Sequence, residues 1–376
     1  METYFCLMKP APVQNSSPVA TLRSGFRSLV INNAKTFPVQ IKTSLSSSFQ
    51  KILLLFLFFI YAAISSSAQD TVTKDTGILR TQTLNSPAAG KPQEVPNKKR
   101  VWFIAGSNVA GYGSSLIALN SAWYKGYARS SFHTFNDSRE WLQMDKIGHA
   151  WGAYTGARGS AGMWDWAGLP HKKAVWIGGL SSFAYLTTIE FFDAYSSKWG
   201  WSWSDIGANI VGSGLFMSQE FLWNEQRIQF KFSFHTNKYD EPQLEQRAND
   251  LFGKPWYERM LKDYNAQTYW FSGNIRSFFP QSNWPAWLNM SIGIGADGMF
   301  GGFENKWEDA AGNEITRNDI PRKRQFYLSP DIDFTKIKTK SKFLKATFTV
   351  LNAFKCPAPA LMMDSKGKFR AYAIYF

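Results

Sequence analysis

Three short polar clusters interrupt an otherwise apolar stretch of the sequence, and their residue types could do chemistry. In the first cluster an aspartate and a histidine lie four residues apart, and in the second a glutamate is followed three residues later by an aspartate. The third contains a serine, an aspartate and an asparagine. On helices these spacings put the polar groups of a cluster on one face, and Ser204 is the natural N-cap of its helix. The candidate catalytic residues are Asp145, Lys146, His149, Glu190, Asp193, Ser204, Asp205 and Asn209.

Ionisable groups among apolar neighbours are unfavourable unless they are paired, so such groups usually face one another. We therefore expect the polar groups of the three clusters to meet in one pocket. The residues expected to converge are His149, Glu190, Asp193, Asp205 and Asn209.

Three chemical roles remain open for this pocket. A histidine with carboxylates could bind a divalent metal, and the candidate ligands are His149, Glu190, Asp193 and Asp205. A histidine oriented by an aspartate could act as a general base. Alternatively, Lys146 and the acids could neutralise each other in a structural network. The sequence contains neither a G-x-S-x-G nucleophile motif nor an H-E-x-x-H metal pair.

The elements that must position these residues are apolar helices between Val101 and about Trp223. Residues 101–124 contain no charged residue, and this run is long enough to span a bilayer. Small residues recur at every fourth position, at Gly148, Gly152, Gly156 and Ser160. On a helix they form one smooth stripe, which predicts the close approach of a neighbouring helix.

From Arg227 onward the periodicity of the sequence changes from helical to two. Residues 227–235 alternate apolar and polar side chains, which predicts a half-buried strand. The last strand ends on Phe376, as the last strand of an outer-membrane barrel commonly does. We predict an α+β fold, with an apolar helical half followed by an antiparallel β half that is similar to such a barrel. The further predicted elements are a helix over 255–265 and strands over 267–273, 288–299, 324–332, 343–351 and 368–376.

An export signal is expected at residues 51–68. One lysine precedes an apolar run, and small residues then lead to a predicted cleavage between Ala68 and Gln69. A permanent anchor is the alternative. Residues 1–50 are interpreted as an over-extended reading frame, or as part of an organellar transit peptide. The predicted division is therefore an extension and signal over 1–68, a disordered linker over 69–97, a helical domain over 98–225 and a β-rich region over 226–376.

The composition of the chain favours contact with a membrane. The formal net charge is +14, and the sequence contains 16 tryptophans. Because the predicted export signal argues against nucleic acid, the basic charge points to anionic membrane lipid or lipopolysaccharide as the partner. Amphipathic aromatic rings favour membrane interfaces. The apolar run is not followed by an acylated cysteine, because the only cysteines are Cys6 and Cys356.

The segments MDKIGHAWGAY and TIEFFDAYSSKWGWSWSDIGANIVG resemble the YfiM-like family of bacterial envelope proteins. This family is a domain of unknown function described as periplasmic lipoproteins, and the resemblance covers residues 145–214. A weaker resemblance is to VanZ-like membrane proteins, which share the Asp-Lys-x-x-His start. The resemblance implies a location in the envelope but no reaction. Two functions are carried forward: a structural or lipid-binding protein of the outer membrane, and a hydrolase or lipid-modifying enzyme that uses the histidine and carboxylate pocket.

Overall fold

Four long helices form the first part of the fold. A computed structural model describes residues 96–120, 124, 128–309 and 311–376, and the predicted export signal and most of the predicted linker lie outside these residues. Asn97 caps the first helix, because its side chain accepts a hydrogen bond from the backbone N–H of Arg100. The long helices are α1 (Lys98–Leu119), α2 (Met144–Trp166), α3 (His171–Asp193) and α4 (Trp203–Trp223).

Small residues let α3 and α4 pack closely against α2. A Cβ atom at Gly212 of α4 would overlap the backbone oxygen of Ala150 in α2, and one at Gly178 of α3 would lie 2.6 Å from the backbone oxygen of Ala157. The predicted small-residue stripe on α2 also faces a neighbouring helix. A Cβ at Gly156 would lie 2.5 Å from the hydroxyl oxygen of Ser182 in α3. The close approach expected from that stripe is confirmed.

The first part of the apolar run at 101–124 lies in helix α1, which ends at Leu119. Serine, asparagine and glycine residues interrupt the apolar residues of this helix. Among the described residues there is no helix whose length and hydropathy together would suit a membrane span. The expectation that this run could span a bilayer is therefore wrong for its described part.

A six-stranded antiparallel sheet follows the helices, in the order β1-β2-β3-β6-β7-β8. A separate hairpin of β4 and β5 completes the strands of the described part, and the α+β class is confirmed. The strands are β1 (Ile228–Phe234), β2 (Gln267–Asn274), β3 (Leu288–Asp297), β4 (Lys306–Glu308), β5 (Glu314–Thr316), β6 (Lys323–Ile332), β7 (Ala358–Asp364) and β8 (Phe369–Tyr375). The shorter helices are α5 (Pro242–Phe252), α6 (Trp256–Lys262), α7 (Ile275–Phe278) and α8 (Lys342–Leu351).

One predicted strand is wrong, because residues 343–351 lie in helix α8. The hydroxyl of Ser341 accepts a hydrogen bond from the backbone N–H of Leu344, which caps this helix at its N-terminus. The β-branched residues in this segment favour a strand locally, but the cap and the amphipathic spacing of its apolar residues decide the outcome. Strand β7 was missed, because prolines at 357 and 359 argue against a strand.

Strand β1 is buried on both faces, which corrects the prediction that it is half-buried. Its aromatic face packs on α2, where the rings of Trp151 and Phe232 lie 5.0 Å apart. Its polar face is also buried, and Lys231 is 0% exposed. The ammonium of Lys231 lies 2.8 Å from a carboxylate oxygen of Asp331 on β6. The apolar side chains of β1 therefore face the helices. Its polar side chains face a second buried region on the other side of the sheet.

Candidate functional site

The three polar clusters meet where the N-termini of α2 and α4 approach the C-terminus of α3. Asp145 and His149 lie in the first turns of α2, Glu190 lies in the last turn of α3, and Asp205 and Asn209 lie in the first two turns of α4. We call this region the polar pocket. Its helices are held together by the small-residue contacts described above.

A strained turn fixes the start of α2. Trp141, Leu142 and Gln143 all have left-handed backbone angles, with φ of 49°, 50° and 60°. Such angles are unfavourable by about 1–2 kcal/mol per residue in a left-handed helical segment. The ring of Trp141 packs at a tilt against that of Tyr264, with 5.4 Å between the ring centroids. The Tyr264 hydroxyl donates a hydrogen bond of 2.6 Å to Asp145. Packing around this turn therefore positions the first acid of the pocket.

Lys146 lies among three carboxylates. Its ammonium is 2.5 Å from Asp137, 2.8 Å from Asp145 and 2.9 Å from Asp205. Burial alone would lower the pKa of Lys146, but the charges of Asp145 and Asp205 raise it above its usual range. The lysine therefore remains charged. Its ion pairs connect α2 with α4 and with the loop that precedes α2.

Asp137 is a pocket residue that the sequence analysis missed. Burial would raise the pKa of its carboxyl, but hydrogen bonds from Lys146, Ser202 and Ser204 lower the pKa to about 2. Both serine hydroxyls donate to the same Asp137 oxygen, at 2.6 Å. The only sequence signal was an acidic residue in a polar loop, which is common on protein surfaces.

Ser202, and not Ser204, caps helix α4. The Ser202 hydroxyl accepts a hydrogen bond of 3.0 Å from the backbone N–H of Asp205, so the prediction for Ser204 as N-cap is wrong by two residues. Ser204 lies instead in the first turn and donates to Asp137. The reason is that the chain enters the helix in an extended conformation at Ser202, and the cap requires that conformation.

His149 connects all three helices. Its Nδ1 lies 3.2 Å from the side-chain oxygen of Asn209 and 3.6 Å from Oε1 of Glu190. Its Nε2 lies 4.0 Å from Asp145. The side chains of His149 and Asp145 are 19% and 20% exposed, so this edge of the pocket is open to solvent. The two ring nitrogens therefore face different sets of partners.

Two buried groups behind His149 lack hydrogen-bond partners within the described part of the chain. They are Oε1 of Glu190 and Nδ2 of Asn209, and both residues are almost fully buried. Burial, followed by the charges of Asp205 and Asp193, raises the pKa of Glu190 to about 9. Buried polar atoms are normally paired, and an unpaired one calls for an explanation.

The structure brings most of the predicted residues together. Asp145, Lys146, Glu190, Asp205 and Asn209 all contact one another or His149. Asp193 lies at the margin, because it accepts a hydrogen bond of 2.7 Å from the Tyr124 hydroxyl. Burial raises the pKa of Asp193 to about 7 and that of Asp205 to about 6. The catalytic and metal-binding roles of these residues stay predictions.

The pocket contains more acidic than basic side chains among the described residues, and this limits the chemistry it can carry out. Carboxyl groups outnumber the single lysine, and Asp145, His149 and Asp205 each offer one ligand atom within 4.8 Å of the others. Within the described residues, no serine, threonine or cysteine side chain hydrogen-bonds to His149, so a histidine-activated side-chain nucleophile has no support. A histidine acting on water, or a bound cation, is compatible with the arrangement.

The part of the chain that holds the pocket is similar to a family of bacterial envelope proteins. Residues 134–219 match the model of a family described as "Predicted periplasmic lipoprotein (DUF2279)". The match includes α2, α3 and all but the last residues of α4, and therefore the whole polar pocket. It supports an uncharacterised family of bacterial envelope proteins and a location in the cell envelope. No curated protein and no solved structure matches the chain.

Proposed function

We propose that the protein is associated with the outer membrane and that one face of its sheet lies against lipid. The observation that carries this proposal is an exposed apolar face on β3, β6 and β7. Apolar side chains on these strands point outward and are exposed, whereas the alternate residues point inward and are buried. The outward residues Ile292, Phe326, Leu328, Leu361 and Met363 are each at least 40% exposed, and Phe369 of β8 is 68% exposed.

These outward residues form continuous rows across the sheet. In one row Phe271 pairs with Ile292, Ile292 pairs with Leu328, and Leu328 pairs with Leu361. At the β1 end the same row continues to Phe230, which is buried against the helices. The apolar face is thus covered by the helices near β1 and exposed over the other strands. We call the exposed part, over β3, β6, β7 and β8, the lipid face.

The opposite face of the same strands is buried, and it carries polar residues beside the apolar cluster of Trp270, Tyr327 and Met362. Ser291, Ser329 and Asp331 are each at most 2% exposed. Ser272 of β2 donates a hydrogen bond of 2.6 Å to Asp331, two strands away. In water a sheet normally buries its apolar face and exposes its polar face. Here one face is buried and the other, exposed face is apolar, so replacing water by lipid on the exposed face would lower the free energy of the sheet.

Basic residues beside the lipid face fit an anionic headgroup region. The turn between β7 and β8 carries Lys366 and Lys368, both exposed, and Phe369 follows at the end of an apolar row. Cationic side chains beside a lipid-facing surface attract anionic lipid or lipopolysaccharide, by about 1 kcal/mol per residue near the surface. The overall net charge of +14 has the same sign as this local charge.

The test is fractionation of native cells that express the full-length chain. We expect the protein in the outer-membrane fraction after carbonate extraction. Ile292→Ser, Leu328→Ser and Leu361→Ser combined should release it, because three apolar contacts with lipid are lost. A matched control combines Leu261→Ser, Phe279→Ser and Phe303→Ser, which change exposed apolar residues outside the rows. A wild-type protein free in the periplasm, or equal release of both triple variants, would contradict the proposal.

A second candidate function is a hydrolase or lipid-modifying activity of the polar pocket. The observation that favours it is the partial exposure of His149 and Asp145, whose pocket partners are buried. If the pocket is an active site, His149→Ala should abolish turnover of envelope lipids and leave thermal unfolding nearly unchanged. If it is a structural network, the same variant should mainly lower stability.

A further inference from the structure

We infer that the polar pocket binds one divalent transition-metal cation, with Asp145, His149 and Asp205 as its protein ligands. This inference concerns the helical part of the chain and does not depend on the lipid face. It adds a ligand to the pocket, whereas the family match gives only a location.

The ligand atoms have suitable chemistry and positions. One imidazole nitrogen and two carboxylate oxygens lie within 4.8 Å of one another. Zn²⁺ binds imidazole nitrogen and carboxylate oxygen at about 2.0–2.2 Å, so small side-chain movements would bring all three atoms to one ion. The presence of an imidazole favours a transition metal over Mg²⁺ or Ca²⁺, which prefer oxygen ligands alone.

His149 has one ring nitrogen available for the ion. Its Nδ1 faces the Asn209 oxygen at 3.2 Å and Glu190 Oε1 at 3.6 Å. A proton on Nδ1 would serve both acceptors, which leaves the lone pair of Nε2 directed toward the side of Asp145. Metal-bound histidines almost always donate their other ring N–H to a carboxylate or carbonyl in this way.

Glu190 supplies an independent reason for a ligand. Its side chain is 2% exposed, and within the described residues Oε1 has no hydrogen-bond partner. A buried carboxyl oxygen without a hydrogen-bond partner is unfavourable. As the outer partner of a metal-bound imidazole, the same carboxylate would accept a strong hydrogen bond from Nδ1–H. A cation in the pocket therefore explains a group that the side chains alone leave unpaired.

The carboxyl groups of the pocket also favour a cation. Five carboxyl groups face it or its margin, and Lys146 contacts three of them. The lysine holds Asp145 and Asp205 at 2.8 Å and 2.9 Å, so both carboxylates are positioned before the ion arrives. The exposed edge at His149 and Asp145 would leave room for water as a fourth ligand. The five carboxyl groups belong to Asp137, Asp145, Glu190, Asp193 and Asp205.

The experiment is a Zn²⁺ titration of the purified, chelator-treated full-length chain by calorimetry, with metal content measured by mass spectrometry. We expect one Zn²⁺ per chain. His149→Ala and Asp205→Asn should each weaken binding more than 100-fold, and Glu190→Gln should weaken it about 10–100-fold without changing the stoichiometry. The matched control is His171→Ala, because His171 also lies 3.1 Å from two carboxylates but belongs to a separate, exposed site.

Further measurements distinguish a loss of metal binding from a failure of a variant to fold. Co²⁺ bound to the wild-type chain should give visible absorption bands that Zn²⁺ displaces in a ratio of one per chain. Far-UV circular dichroism identifies variants that remain folded. The inference is overturned if the wild-type chain retains no Zn²⁺, or if a folded His149→Ala variant binds it as tightly as the wild type or His171→Ala.

Discussion

Removing the ammonium of Lys146 should strongly destabilise the protein. We consider Lys146→Met, because methionine nearly preserves the length of the side chain and removes its charge. Three carboxylates lose their common partner, and the lysine side chain is only 10% exposed. Removal of one partner from a buried ion pair typically lowers the free energy of unfolding by about 3–5 kcal/mol. For a chain of 376 residues that corresponds to a decrease in Tm of about 4–6 °C, since the entropy of unfolding is about 2.1 cal/mol/K per residue.

The assay is thermal unfolding at pH 7 in the presence of a chelator, followed by circular dichroism. Lys172→Met is the control, because Lys172 is exposed at the start of α3. Adding Asp137→Asn to Lys146→Met should recover part of the lost stability, since one unpaired carboxylate becomes neutral. The reasoning is refuted if Lys146→Met shifts Tm no more than the control does, or if Asp137→Asn gives no recovery in the double variant.

The dependence of this effect on pH has a definite sign. The pKa of Asp137 is lowered from 3.8 to about 2 in the folded protein. A carboxylate with a lowered pKa contributes stability above its unfolded pKa and loses it as the pH falls through the folded value. The part of the Lys146→Met deficit that comes from Asp137 should therefore decrease as the pH is lowered from about 4 to about 2.

Two further predictions concern the helices around the pocket. The pKa of Glu190 is raised from 4.5 to about 9, so its contribution to stability is present below about pH 4.5 and lost as the pH rises toward 9. Glu190→Gln should thus raise the free energy of unfolding in chelator increasingly from pH 5 to pH 9, by up to about 3 kcal/mol at pH 7, and a lower Tm than that of the wild type at pH 8 would contradict this. Gly212→Ala should lower stability by about 1–3 kcal/mol in chemical denaturation, because its Cβ overlaps the Ala150 backbone. Gly207→Ala on the same helix has open space and should be neutral or stabilising by up to about 1 kcal/mol; equal effects of the two would rule out the packing argument.

The polar pocket was largely predictable, because the sequence shows polar groups among apolar helical residues, where they need partners. His149, Glu190 and Asp205 lie in apolar surroundings, and each needs a polar partner, so their convergence follows from the unfavourable free energy of unpaired groups. Asp137 was not predictable in the same way. It lies in a polar loop, where an acidic residue needs no partner, and only the tertiary fold brings it within 2.5 Å of Lys146.

For the sheet, the sequence predicted most of the strands but not what lies against each of their faces. Alternation along β1 correctly predicted a strand, but it could not say that the polar side is an interior. That property depends on Asp331, which lies 100 positions further along the chain than Lys231 and is separated from it by two strands of the sheet. The error at helix α8 has a local cause, since its threonines and valine fit a strand as well as a short helix. Periodicity identified most elements, and long-range contacts determined what each face touches.

Spin-label accessibility tests most directly whether the lipid face lies against lipid. Leu328→Cys and Leu361→Cys would be labelled with a nitroxide in a background with Cys6→Ser and Cys356→Ser, and Lys366→Cys would serve as the water-facing control. In vesicles of outer-membrane lipid we expect labels at 328 and 361 to be relaxed strongly by oxygen, which concentrates in lipid, and weakly by a water-soluble nickel complex. The label at 366 should show the opposite preference. Labels at 328 and 361 that respond to the nickel complex as strongly as the label at 366 would contradict the claim.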